Sequence, residues 1–139
     1  MMDRERITRR LADISQYMGI LESILPNDYA GYRESPVTTK ASTERYLQLL
    51  SDIELEVMIL LYKGLDLGIA GDEDPLINKM GSVISKRVIE GFRKRRSLRN
   101  LLVHAYYDAH YDVDAFEQAG DTGDIKTFIR EVKVLIGKH

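Results

Sequence analysis

The feature that most constrains this chain is the spacing of its apolar residues, which step by three and four along segment after segment. Ile7, Leu11, Ile14, Met18, Leu21 and Leu25 open the series. They form a stripe on a helix from about Asp3 to Leu25 that needs a second helix to cover it. Pro26-Asn27 ends it. Residues 27–41, with Gly31, Pro36 and many polar side chains, read as a crossover loop. Ser42 or Thr43 suits the N-cap of a second helix. Its apolar face is Tyr46, Leu47, Leu50, Ile53, Val57, Leu60 and Leu61, and Gly64 stops it after Lys63. A loop over 64–74 follows. Asp74-Pro75 fits a cap and first-turn proline, starting a third helix that runs to about Phe92 through Leu76, Met80, Val83, Ile84 and Val88. Gly81 and Gly91 weaken it unless close packing or a bend requires them. A fourth helix is predicted from about Lys94 to Asp108 or a little beyond. After the break at Gly120-Asp121-Thr122-Gly123, the last runs over about Asp124–Ile136, burying Ile125, Phe128, Ile129, Val132, Leu135 and Ile136. Period two is nowhere sustained, so no strand is predicted. The expectation is an all-α bundle of four main helices and a shorter one. With 139 residues, the chain has room for one domain spanning 1–139.

No apolar run approaches the roughly 20 residues that cross a bilayer, so no membrane partner is expected. The opening Met-Met-Asp-Arg-Glu-Arg enters an amphipathic helix at once, without a signal peptide's apolar core. With no cysteine, disulfides and thiolate metal sites are excluded, which fits a cytoplasmic protein. The net charge of −2 does not suggest nucleic acid, but its distribution does. Residues 86–99 hold seven Lys/Arg against one Glu, whereas 108–124 hold six acids. Local charge, more than the net value, decides where a phosphate chain docks.

Chemistry concentrates in Arg99-Asn100-Leu101-Leu102-Val103-His104-Ala105-Tyr106. At about 100° per residue, Arg99, Leu102, Val103 and Tyr106 share one side of a helix. Asn100 and His104 share an adjacent side with Tyr107 and Tyr111. Upstream, Arg93, Lys94, Arg95 and Arg96 offer a cationic approach and are the candidate RNA-binding residues. A lone histidine on a helix is ordinarily a surface residue, and a basic run ordinarily a solvated face. The weight lies in the conjunction.

Arg99-x4-His104-x-Tyr106, with Asn100 directly after the arginine, resembles the signature of the HEPN superfamily. More narrowly it resembles that of the HepT-like toxins, Arg-x4-His-x-Tyr. Glu44-Arg45-Tyr46-Leu47-Gln48 looks like the start of the family's second helix, and Asp124-Ile125-x-x-Phe128 like its last. The likeness covers most of the chain, but only the central motif is specific. The family usually has an acidic residue shortly after the tyrosine, and Asp108 and Asp112 both stand in that region. The resemblance implies a HEPN-like antiparallel four-helix bundle and the toxin half of a prokaryotic type VII toxin–antitoxin pair. It also implies a homodimer in which two motifs face each other across a cleft. Tyr106 would then be the acceptor for adenylylation by a cognate minimal nucleotidyltransferase antitoxin. Its ordinary reading, an amphipathic ring closing the helix interface, stands beside that one.

Cleaving RNA without a metal needs a group to activate the 2′-OH, an acid for the 5′-oxygen, and cations for the phosphorane. Histidine titrates near pH 6.5 in general, so His104 suits the proton transfer. Arg99 suits the developing charge, since a guanidinium fork holds two phosphate oxygens. Asn100 positions either the histidine or the phosphate. One motif lacks a second acid/base, and in a dimer two His104 side chains would divide the roles. The substrate is then RNA and not DNA, and the products a 2′,3′-cyclic phosphate and a 5′-hydroxyl. His104, His110 and His139 form no i,i+4 pair, and Gly64-x3-Gly68-x2-Gly71 lacks the lysine of a phosphate loop. No metal and no cofactor is expected. The alternative is a catalytically silent HEPN module that binds and scaffolds a nucleotidyltransferase or a nucleotide.

Overall fold

Seven α-helices follow one another among the residues that the computed structural model describes: 1–69, 71–104 and 109–139, the side chain of Ala109 excepted. In chain order they are α1 (Arg4–Ile24), α2 (Tyr29–Glu34), α3 (Val37–Gly64), α4 (Glu73–Met80), α5 (Lys86–His104), α6 (Asp112–Gly120) and α7 (Gly123–Lys138). A 3₁₀ turn, Ala109–Tyr111, precedes α6, and no strand occurs among the described residues. The four long helices are α1, α3, α5 and α7.

These four pack in sequence, each antiparallel to the last. Arg6 and Arg10 near the start of α1 pair with Glu56 late in α3, while Tyr17 meets Tyr46 nearer its start, ring centroids 5.6 Å apart. On the next pair, Glu54 meets Arg95 and Asp52 meets Arg99, so α5 runs against α3. Ser85, just ahead of α5, bonds Glu131 late in α7, whereas Gly91 packs on Asp124 at its start. The stripes do what their spacing requires. Ile7, Ile14, Leu21, Leu50, Val57, Leu61, Phe92 and Phe128 are wholly buried. Each such side chain contributes about 1.5–3 kcal/mol of transfer free energy.

The α1 boundaries are those predicted, with the Asp3 carboxylate accepting from Arg6 N at 3.2 Å. Other boundaries differ. The supposed loop 27–41 holds α2, capped by Asp28 and anchored by buried Tyr32, which packs 5.5 Å from Phe116 of α6. Proline cannot extend α2 but has its φ set for a first turn, so α3 starts right after Pro36. Thr43 is no cap: it is buried inside α3 and donates its hydroxyl to Thr39 O.

The predicted third helix is two. α4 stops at Met80, a turn occupies 81–85, and α5 begins at Lys86 instead of Lys94. Ser85 N and Oγ both donate to the Glu131 carboxylate at 2.7 Å, which fixes that start. Gly91 breaks nothing: it sits inside α5 because a Cβ there would collide with the Asp124 carboxylate. The whole basic run therefore shares one helix with Arg99 and His104. α6 lies beyond the predicted fourth helix and was not foreseen. It buries Ala115 and Ala119, four apart, a face too small for apolar periodicity to reveal.

Candidate active site

α5 is seated by the buried side chains Val88, Phe92, Leu98 and Leu102. Its last turns expose Ser97, Asn100, Leu101, Val103 and His104. Leu101 and Val103 retain 47% and 45% of their accessible surface, so Val103 does not share the burial of Leu102. Among the described residues, the motif's polar members therefore stand beside exposed apolar groups.

Arg99 is half-buried and held from α3. Its Nε donates to Asp52 Oδ1 at 2.8 Å and its Nη2 to Asp52 Oδ2 at 3.4 Å. Nη1 lies 3.4 Å from Asn100 Oδ1. His104 is exposed at the end of α5. Five residues separate it from Arg99, about 7.5 Å along the axis and roughly 140° in azimuth. Asn100 is only about 40° from His104. The asparagine and histidine of one chain thus share a face, and the arginine leaves from another. Tyr106, Tyr107 and Asp108 lie outside the described residues. Asp112, the other candidate acid after the motif, is buried at the start of α6, 3.4 Å from Lys40 Nζ. Burial, and then Asp112, push the nearby Glu44 carboxyl up.

The four cations expected to meet RNA do not act as one surface. Arg95 is 4% exposed and points into the bundle. Its Nε and Nη2 donate to the two oxygens of Glu54 at 2.6 and 2.9 Å, and Nη1 lies 2.7 Å from Asp124 Oδ2. Burial pushes the Glu54 carboxyl up against the pull of Arg95. Burial also works against the Arg95 charge, but Glu54 and Asp124 outweigh it and leave its pKa raised. Arg96 is buried as well, donating to Asp52 Oδ1 at 2.8 Å, Ser51 Oγ at 3.2 Å and both oxygens of Glu73. Burial opposes its charge, and Glu73 and Asp52 more than restore it. Both arginines are thus corrected from RNA contacts to ties between helices, because carboxylates on α3, α4 and α7 take their donors. Arg93 bonds Asp74 and Asn78, and Lys94 is exposed.

Sequence reasoning missed those carboxylates. Glu54 carried a signal, since it falls on the stripe of Leu47, Leu50, Met58 and Leu61 where an apolar residue is expected. Asp52 carried none.

Two clefts flank α5. One, of about 560 Å³, adjoins Arg99 and is lined by Arg6, Asp52, Leu55, Ile59, Lys63 and Arg96 among others. The other, of about 670 Å³, lies between α5 and α6 and includes none of Arg99, Asn100 and His104. No group of three or more His, Cys, Asp or Glu among the described residues is placed to hold a metal ion. No described helix is long and apolar enough to cross a membrane.

Neither a family model nor a curated protein matches the sequence. The structure is similar to a chain in the crystal structure of a mutant of the toxin–antitoxin pair MntA-HpeT. The TM-score is 0.80 over 92% of this chain and 97% of that one, with 18% of residues identical. At that identity the similarity establishes a shared fold, the all-α bundle expected from the stripes.

Proposed function

We propose that this chain is a metal-independent endoribonuclease, the toxin half of a type VII toxin–antitoxin pair, cutting RNA in a cleft between two copies of itself. The observation that carries the reading is an accessible helix end that bears both an exposed His104 and an Arg99 whose guanidinium Asp52 holds along one edge. One chain supplies a single acid/base there, whereas two chains facing each other supply two His104 imidazoles to one phosphate. Arg99 steadies the phosphorane, the two His104 imidazoles share the acid and base roles, and Asn100 orients its neighbouring histidine or the phosphate. The exposed Leu101 and Val103 give the motif helices apolar surface for a two-fold contact. A chain of the MntA-HpeT structure shares this fold, which supports a toxin–antitoxin setting, and an RNA-cleaving toxin would act in the cytoplasm.

Assembly is testable directly. The chain is expected to be a homodimer at micromolar concentration by light scattering. A monomer that cleaves RNA as well as the dimer would overturn the composite site.

Regulation follows from the same pairing. The partner is a minimal nucleotidyltransferase antitoxin, and the acceptor is Tyr106, two residues beyond His104. An AMP ester there adds bulk and a phosphodiester charge beside the motif and opposes the RNA phosphate. Incubation with ATP, Mg²⁺ and that enzyme is expected to add about 329 Da or a multiple, one AMP residue each. Tyr106→Phe should keep cleavage and escape the adduct, whereas Tyr107→Phe and Tyr111→Phe should not escape it. An adduct that persists in Tyr106→Phe removes this acceptor. An adduct on a wild-type dimer that never cleaves RNA would favour a silent module scaffolding its partner.

A further inference from the structure

We propose that Asp52 is the positioning residue for Arg99, holding one edge of its guanidinium so that the other is left to take a phosphate. A guanidinium carries five N–H donors in a rigid plane and can offer either its Nε/Nη2 edge or its Nη1/Nη2 edge to a pair of oxygens. Asp52 occupies the first edge, through Oδ1 to Nε at 2.8 Å and Oδ2 to Nη2 at 3.4 Å. On the second edge, the partner found among the described residues is Asn100 Oδ1, 3.4 Å from Nη1. That contact is long enough for a phosphate oxygen to displace it. Asp52 is itself braced. Its Oδ1 also accepts from Arg96 Nη1 at 2.8 Å, and Arg96 is pinned to Glu73 of α4. The chain of contacts runs from α4 through α5 to α3 and back to Arg99, so the arginine is aimed by three helices.

Asp52 has an opposing effect on the substrate. It places a negative charge beside the residue that attracts phosphate, so it weakens RNA binding while it orders the group that acts in the transition state. Orientation and attraction therefore separate in Asp52→Asn. A role in folding alone would lower both together.

The kinetic arm of the test rests on the ribonuclease reading, and the spectroscopic arm does not. Asp52→Asn is expected to lower kcat roughly 10- to 100-fold, the scale of a misplaced catalytic group. Its affinity for a non-cleavable 2′-deoxy analogue of the substrate should be unchanged or higher. Asp52→Glu should recover part of the loss. Glu73→Gln, which loosens the Arg96 brace but leaves the Asp52–Arg99 contact, should lower kcat by less than Asp52→Asn does. Without RNA, the Arg99 Nε–H signal, assigned by its absence in Arg99→Lys, should be a protected proton resonance in the wild type. It should be lost in Asp52→Asn and regained in Asp52→Glu. The proposal is overturned if folded Asp52→Asn keeps that signal, cleaves at the wild-type rate, or loses binding and turnover in equal measure. Should the wild type not cleave RNA, the ribonuclease reading falls, and the Nε–H signal alone then supports or overturns the role of Asp52.

Discussion

RNA cleavage by His104→Ala is expected to fall by at least roughly 10²-fold, the usual cost of one acid/base group. Arg99→Ala should lose as much, since in the proposed mechanism it removes the cation facing the developing phosphorane charge. The two losses will not add if the groups act in one transition state. Neither substitution should unfold the protein. His104 is exposed at the end of α5, and the half-buried Arg99–Asp52 pair is worth on the order of 1 kcal/mol or less. Thermal melts within a few degrees of the wild type, beside absent cleavage, would place the loss in the chemistry. If melting falls steeply, the loss belongs to folding instead.

Arg95 should behave in the opposite way. Arg95→Met is expected to destabilise the bundle by about 3–5 kcal/mol, because it strands the fully buried Glu54 carboxylate. The paired change Arg95→Met with Glu54→Leu should recover most of that, since a buried ion pair can be replaced by apolar side chains at little cost. Asp124 is buried too and loses Arg95 as well, but it stands in the first turn of α7, where the helix dipole favours its charge. Urea denaturation of the two variants and the wild type decides it. A single-variant loss under about 1 kcal/mol would mean that Glu54 gives up its charge or finds water.

The contrast between these arginines shows what the sequence could convey. Arg95, Arg96 and Arg99 look alike in a basic run, and their neighbours on α5 do not tell them apart. What separates them is which carboxylate on α3, α4 or α7 lies opposite, and long-range pairing leaves no mark on local spacing. Helix type was legible because the stripes are long: Ile7 to Leu21 on α1 and Leu47, Leu50, Val57 and Leu61 on α3 bury as read, while Tyr46, Ile53 and Leu60 at the margin of the α3 stripe are only partly covered. Boundaries failed where a local signal competed with a tertiary one. Ser42 and Thr43 look like caps, yet Pro36 sets the start of α3 and Thr43 bonds back along the helix. Gly91 looks like a weak point, yet it is the place where Asp124 needs room. The motif itself was legible as a pattern. Its geometry was not, because Asp52 gave no sign that it would face Arg99.

The most direct test of the ribonuclease account is the chemistry of the ends that the chain leaves on RNA in EDTA. The purified wild-type protein should produce fragments ending in 2′,3′-cyclic phosphate and starting with 5′-hydroxyl, and His104→Ala purified in parallel should produce none. Fragments with 3′-hydroxyl and 5′-phosphate ends, cleavage that needs a divalent metal, or undiminished cleavage by His104→Ala would contradict it.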